Sequence, residues 1–209
     1  VEFFDRSAPN YLRLRGRFFL RTLRAREEKS VMWLLDPRPG DEILDAGCGP
    51  GHYSRKIMAL GARVYGVDAS AEMVTQARAH GIEAGVADLH DMKLDQTFDK
   101  ILCTGVLEFC HSPKAVLDGF LPHLRENGLI VVLVPRPSPM GCAYRLYHRS
   151  HGLSIHLFSV RQLGALAKPW LRIARLEFPT PMSLVARLER YAVRSDLRRS
   201  DRQTITPPR

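Results

Sequence analysis

The chain reads as an α/β protein, a three-layer sandwich in which a mostly parallel sheet carries helices on both faces. Three observations predict it. From residue 41 onward, short Val-, Ile- and Leu-rich runs alternate with stretches of helical spacing, as expected of strand–helix–strand units. Glycines or Asn-Gly stand where those helices should stop, at Gly61, Gly81 and Asn127-Gly128. Finally, 209 residues suffice for one domain with a full core and are too few for two large ones.

The elements follow in order. Residues 41–46 read as the first strand and 53–60 as a helix. Residues 63–68 form the second strand. Ser70 offers an N-cap to a helix over 71–80. Residues 82–86 and 98–103 are the third and fourth strands. Ser112-Pro113, a cap followed by proline at the first helical position, opens a helix predicted to run to Arg125. The fifth strand is 129–134. Pro135, Pro137 and Pro139 then predict a loop or small insert over about 135–158. Ser159 caps a helix to Ala167, and 171–178 is a sixth strand. Residues 183–193 have helical spacing, with Leu184, Leu188 and Tyr191 on one face, and the arginine-rich tail from Arg194 is expected to be disordered. Before the sheet, residues 11–35 look helical, with seven basic side chains among apolar ones up to Lys29. The expected division is therefore 1–40 as a helical lid or cover, 41–178 as the main domain, and 179–209 as a C-terminal helix with a basic tail.

Charge is unevenly distributed. Residues 1–40 carry nine basic and five acidic side chains, residues 41–135 eight and 13, and residues 136–209 14 and four. Basic flanks around an acidic centre suit either a solvated surface or an anionic partner, such as a membrane surface or an anionic substrate. No apolar run approaches the length needed to span a bilayer. A basic segment followed by an apolar one is absent from the beginning, where Val1 stands in place of an initiator Met, so no secretory signal is expected. Cys48, Cys103, Cys110 and Cys142 match neither zinc-site nor disulfide spacing, and reduced, cytoplasmic thiols are expected.

The chemistry concentrates in Ile43-Leu44-Asp45-Ala46-Gly47-Cys48-Gly49-Pro50-Gly51. A strand runs into a glycine-rich turn and then a helix, where the backbone must turn tightly and approach a ligand without side chains in the way. The spacing is G-x-G-x-G, whereas a dinucleotide fingerprint is G-x-G-x-x-G. Asp45 at the strand end would repel a pyrophosphate and suits the ammonium group of a methionine moiety. Asp68, closing the second strand, can accept from both hydroxyls of a ribose. Together these features point to S-adenosylmethionine and a Rossmann-like domain.

On these residues the chain resembles the class I S-adenosylmethionine-dependent methyltransferases, especially the small-molecule branch of ubiquinone and menaquinone biosynthesis enzymes. Val64-Tyr-Gly-Val-Asp68, Ala87-Asp88-Leu89, Phe98 to Glu108, Leu121 to Ile130 and His156 to Leu163 resemble the later motifs in order. Phe4-Asp5-Arg6 and Ala8-Pro9-Asn10-Tyr11 resemble the segment that covers the cofactor. The resemblance implies cofactor contacts at Tyr11, Asp45, Ala46, Gly47, Cys48, Gly49, Gly51, Tyr53, Asp68, Ala69, Met73, Ala87, Asp88, Leu89, Cys103, Thr104 and Gly105. It also implies a seventh, antiparallel strand. Residues 194–209 hold no β-type run, so either the sheet is one strand short or the chain is truncated. The acid-rich metal site of some O-methyltransferases is not apparent.

A small-molecule acceptor, attacking through O, C or N, is the expected substrate, and a base near neutrality helps an oxygen nucleophile. His111, His148 and His151, in loops after the fourth and fifth strands, are the candidates. Cys103-Thr-Gly-Val replaces the Asn/Asp-Pro-Pro-Tyr of base-modifying enzymes and no aromatic-rich basic patch appears, so nucleic acid is not the expected partner. An RNA or protein methyltransferase and a catalytically idle S-adenosylmethionine-fold subunit are the alternatives, with a dehydrogenase behind them.

Overall fold

The computed structural model describes residues 18–191, with side chains from Arg21 onward. Its element order is α1 (Phe18–Leu35), β1 (Glu42–Ala46), α2 (His52–Met58), β2 (Arg63–Asp68), α3 (Ala71–Ala79), β3 (Glu83–Val86), β4 (Phe98–Thr104), α4 (Pro113–Phe120), β5 (Leu124–Pro135), α5 (Pro139–Ser150), α6 (Val160–Ala167), β6 (Leu171–Glu177) and β7 (Ser183–Arg190). Short 3-10 turns at Leu107–Phe109 and Leu121–His123 flank α4. All seven strands form one sheet in the order β3-β2-β1-β4-β5-β7-β6. The first five in that order are parallel, and β7 runs antiparallel to both its neighbours.

Alternation along each strand sorts the core into two layers. Leu44, Ile101, Ile130 and Val132 point toward α4 and α6, meeting Val116, Leu117, Phe120 and Leu163. Ile43, Leu102 and Val131 point the other way, against Val31, Leu34 and Leu35 of α1 and Ile57 of α2. Both faces are covered, as a parallel sheet requires. Ser70 accepts the backbone N–H of Met73 and so caps α3, and Ser159 with Gln162 forms a complete capping box on α6.

Three sequence expectations are corrected. The helix expected over 183–193 is strand β7 over Ser183–Arg190, so no helix follows β6 among the described residues and the sheet is not a strand short. Leu184 and Leu188 are four apart, which is one face of a helix, but with Ala186 they are equally one face of a strand. Val185 is buried on the opposite face beside α1, and this two-sided burial erases the polar alternation that marks a strand. The segment 135–158 is not a loop throughout. Ser138 caps α5 and Pro139 sits at its first turn, the same signal that opens α4. The helix from Ser112 ends at Phe120, and Asn127-Gly128 lies inside β5 beside an irregularity in its pairing with β4. Gly128 is required there, because a Cβ would lie 2.9 Å from the Asp99 carbonyl. The expectations for Tyr11 and for the tail from Arg194 lie outside the described residues.

The strand assignment of 183–190 makes a direct prediction. Leu188 is fully buried, whereas Tyr191 is 45% exposed. Leu188→Ala should lower unfolding stability in urea by about 2–4 kcal/mol, and Tyr191→Ala by about 1 kcal/mol or less. On a helix the two residues would share a face and cost similar amounts.

Candidate cofactor and acceptor site

The strand order reverses between β1 and β4, and a crevice opens beyond the carboxyl ends of the strands at that point. The loop after β1 is held down by two N–H donors, Gly47 and Cys48, which both reach the Val67 carbonyl at 2.7 and 2.9 Å. Its three glycines answer to different constraints. A Cβ on Gly47 would lie 2.2 Å from Val106 Cγ2, and one on Gly51 would lie 1.9 Å from Ile82 Cδ1, so packing forbids both. Gly49, at φ +53°, would point its Cβ into open space. That space is where a ligand can lie against bare backbone.

Asp45 is 1% exposed at the end of β1. Its Oδ2 accepts the Ser54 hydroxyl of α2 at 2.5 Å, while Oδ1 is buried with no hydrogen-bond partner among the described residues. Burial raises its pKa to about 6; the Ser54 hydrogen bond opposes that rise, and the nearby Asp68 charge adds to it. An unpaired buried carboxylate oxygen is costly, and a cationic ligand group would relieve it. Asp68 ties the two loops together, its oxygens accepting the backbone N–H groups of Gly49 at 2.8 Å and Ser70 at 3.0 Å. Each oxygen keeps a second lone pair for a ligand hydroxyl. Cys48 packs its sulfur over Gly66, where a Cβ would lie 2.9 Å away. Burial and the charges of Asp45 and Asp68 push its thiol far up, so it is an inert packing group.

The predicted cofactor residues from Asp45 onward all lie along this edge. Ala46, Gly47, Cys48, Gly49 and Gly51 follow β1, Asp68 and Ala69 end β2, and Ala87, Asp88 and Leu89 follow β3. Cys103, Thr104 and Gly105 close β4, Tyr53 comes from α2, and Met73 is buried on α3. Asp88 is exposed, bonded to the His90 backbone and ring at 2.9 Å, and held below its usual pKa by those bonds.

Beside the loop lies a pocket of about 200 Å³. Arg24 and Glu27 of α1 line it with His52 and Tyr53 of α2, Thr104, Gly105 and Glu108 after β4, Tyr144 of α5, and Met182 and Ser183 at the start of β7. None of the three candidate histidines is among its lining residues. His111 is exposed and stacks on His90 at 3.8 Å, on the Asp88 side of the crevice. His151 is exposed and turned back onto the Tyr147 carbonyl at 2.8 Å. His148 is buried behind the wall, its ring 4.5 Å from that of Tyr144, and burial lowers its pKa.

The pocket instead presents two carboxyl groups that sequence reading did not single out as a pair. Glu108 is 3% exposed, Oε2 has no partner among the described residues, and burial raises its pKa to about 8. Glu27 is raised as well, chiefly by burial, against hydrogen bonds from Ser183 and Thr180 and the charge of Arg24. A signal existed in α1. Its buried stripe of Val31, Leu34 and Leu35 continues one and two turns back to Glu27 and Arg24, charges placed on an apolar face.

A parallel sheet with this strand order, an acid–glycine loop after β1 and an acid closing β2 define a Rossmann-like methyltransferase fold. Comparison with known proteins agrees: residues 44–132 match the family described as Methyltransferase domain. An uncharacterized protein of a Streptomyces fradiae transposon is 34% identical over 158 residues, 64% of this chain and 46% of that protein. A Xanthomonas oryzae ubiquinone biosynthesis O-methyltransferase is 28% identical over 151 residues, 66% of this chain and 63% of that enzyme. The chain thus spans less than two thirds of the length of these relatives. The crystal structure of magnesium protoporphyrin IX methyltransferase from Synechocystis with bound S-adenosylhomocysteine (SAH) superposes with a TM-score of 0.73 at 19% identity, covering 91% of this chain and 97% of that one. The match to the methyltransferase-domain family thus covers residues 44–132, and the fold is the one seen in solved methyltransferases.

The buried acid makes a stability prediction. A carboxyl whose folded pKa is raised costs nothing below its ordinary value of 3.8 and costs progressively more as pH rises through about 6. At 1.36 kcal/mol per pKa unit, the cost at pH 8 is about 3 kcal/mol. Asp45→Asn should therefore raise the Tm of the ligand-free protein at pH 8 and leave it nearly unchanged at pH 4, as scanning calorimetry would show.

Proposed function

We propose that the chain is an S-adenosylmethionine-dependent methyltransferase acting on a small molecule. The observation that carries this is the unpaired, buried Oδ1 of Asp45 beneath the open backbone of Gly49. It offers an anionic contact to an ammonium group, with Asp68 one strand away for a ribose. On this reading Asp45 takes the methionyl ammonium, Asp68 the ribose hydroxyls, and Asp88 with Leu89 the adenine. Thr104 and Gly105 lie between the cofactor and the acceptor pocket. S-adenosylmethionine supplies a methyl group already activated by its sulfonium. The protein's own task is then to align the acceptor in the pocket and exclude water. The four cysteines are all free thiols, which suits a reducing cytoplasm.

Calorimetry with S-adenosylmethionine tests the reading. The protein should bind it with a Kd in the micromolar range, about 10-fold or more tighter than NAD. Asp45→Asn should weaken binding at least about 10-fold, the loss of one charge-assisted contact. Equal or tighter binding of NAD would overturn the assignment, and binding without turnover on any extract would favour the idle subunit. Gain of one methyl group by RNA or protein, in place of a metabolite, would favour the macromolecular alternative.

We also propose that the pocket faces an anionic membrane surface. No helix among the described residues is long and apolar enough to cross a bilayer. Yet α5, whose Tyr144 lines the pocket, turns Leu146 and Tyr147 outward at 68% and 52% exposure between the exposed Arg145 and Arg149. Apolar side chains framed by arginines suit an interface of anionic headgroups. The protein should co-sediment with phosphatidylglycerol vesicles at low salt. Leu146→Asp with Arg149→Glu should abolish that, and equal sedimentation with neutral phosphatidylcholine vesicles would refute the electrostatic part.

A further inference from the structure

The pocket beside the glycine loop holds more acid than methyl transfer by itself needs. Two of its lining residues carry carboxyl groups: Glu108, projecting from the 3-10 turn after β4, and Glu27, from the middle of α1. A Cβ built on Gly105 would have a single neighbour, Glu108 Oε1, at 3.9 Å. The Glu108 carboxyl therefore lies directly beside the exposed backbone at the end of β4. Glu27 is half-buried and accepts the Thr180 hydroxyl at 3.5 Å.

We propose that Glu27 and Glu108 together form the proton acceptor of this pocket, and that they restrict its occupant to acceptors that bring a proton with them, an uncharged hydroxyl or an ammonium group, against carboxylates. This rests on the methyl-transfer reading above. Two carboxylates facing one small cavity cannot both be ionised cheaply, so the pair holds one proton at neutral pH. Burial raises both groups; Glu108, the more deeply buried, keeps that proton, while hydrogen bonds from Ser183 and Thr180 and the charge of Arg24 favour the ionised form of Glu27. The O–H or N–H bond of the acceptor breaks, its proton forms an O–H bond with a Glu27 oxygen, and the electron pair stays on the acceptor as the nucleophile. Because Glu27 is not fully buried, the proton then passes to solvent.

The other groups around the pair are consistent with this selection. Arg24 on α1 offsets the Glu27 charge, and His52 comes from α2. Tyr144 on α5, Thr180 and Ser183 contribute hydroxyls. Cys103 and Cys110 face Glu108 with thiols pushed up by burial and by its charge. A carboxylate occupant would add a second negative charge beside Glu27. A phenol or an ammonium group would bring none.

The ligand-free protein gives the first test. Infrared spectra at pH 7 should show the carbonyl band of a protonated carboxylic acid that Glu108→Gln removes. Glu27→Gln, by deleting the facing charge, should shift the loss of that band to lower pH, a change that mere packing would not produce. With S-adenosylmethionine present, release of SAH should occur with members of a panel of uncharged phenols and alkylamines and not with benzoates. Glu27→Gln should slow that release about 100-fold, with the Kd for S-adenosylmethionine unchanged. Absence of the band, preference for benzoates, or a Glu27→Gln rate within threefold of the parent each overturns the proposal. Failure to bind S-adenosylmethionine would instead overturn the methyl-transfer reading, and the band alone would then decide the pair.

Discussion

A carboxylate buried at the end of a parallel strand is an unstable arrangement unless something is meant to meet it. Asp45 is that carboxylate. Its strand is central, paired with β2 on one side and β4 on the other, and its side chain is almost wholly buried. One oxygen is satisfied by Ser54, and the other is left without a partner among the described residues. The folded domain supports this cost because Ile43, Leu44 and Ala46 on the same strand are fully buried in two apolar layers. The rest of the site follows from that placement. The loop above must be free of side chains for a ligand to reach the acid. The second acid, Asp68, then fixes the loop by taking the N–H of Gly49.

The glycine loop shows why one motif can be strong evidence when its positions obey independent constraints. Gly47 and Gly51 are forced by neighbours within the protein, Val106 and Ile82. Gly49 is not, since nothing among the described residues lies where its side chain would go. Its positive φ of +53° favours glycine for the turn, and the missing side chain leaves bare backbone open to a ligand. The division between packing glycines and a ligand-facing glycine cannot be seen in the letters Gly-Cys-Gly-Pro-Gly, because all three glycines look alike there.

The same distinction decides how much could be read before the structure. Caps, proline at the first helical turn and glycine stops are local chemistry, and they located β1, β2, α3 and the start of α6 to within a residue or two. Asp45 and Asp68 were legible because each ends a strand beside a recognisable turn. What failed depended on partners distant in sequence. β7 looked helical because the burial of Val185 comes from α1, some 150 residues earlier. The histidines of the insert looked like bases because they cluster in sequence. Yet α5 buries His148 behind Tyr144 and turns His151 outward, and the stacking of His111 on His90 depends on a contact across two loops. Glu27 precedes the sheet altogether, and its role depends on which strand α1 crosses.

The pocket beside the glycine loop, proposed to hold the acceptor, is therefore the product of the elements that were hardest to read. α1 lies across β5 and β7, and Val31, Leu34 and Leu35 anchor its later turns there. That anchoring brings Arg24 and Glu27, one to two turns earlier, over the start of β7, where Thr180 and Ser183 bond to Glu27. Had residues 183–190 formed a helix, there would be no antiparallel strand for α1 to lie on, and no wall on that side of Thr104 and Gly105. The cofactor half of the crevice is built from consecutive strand ends and is general to the fold. The acceptor half joins the beginning of the described chain to its end, so a change in how α1 packs on β7 alters the acid pair and the shape of the pocket without touching the glycine loop. On the proposed reading, the glycine loop and the pocket can thus vary separately, because the α1–β7 contact shapes only the pocket.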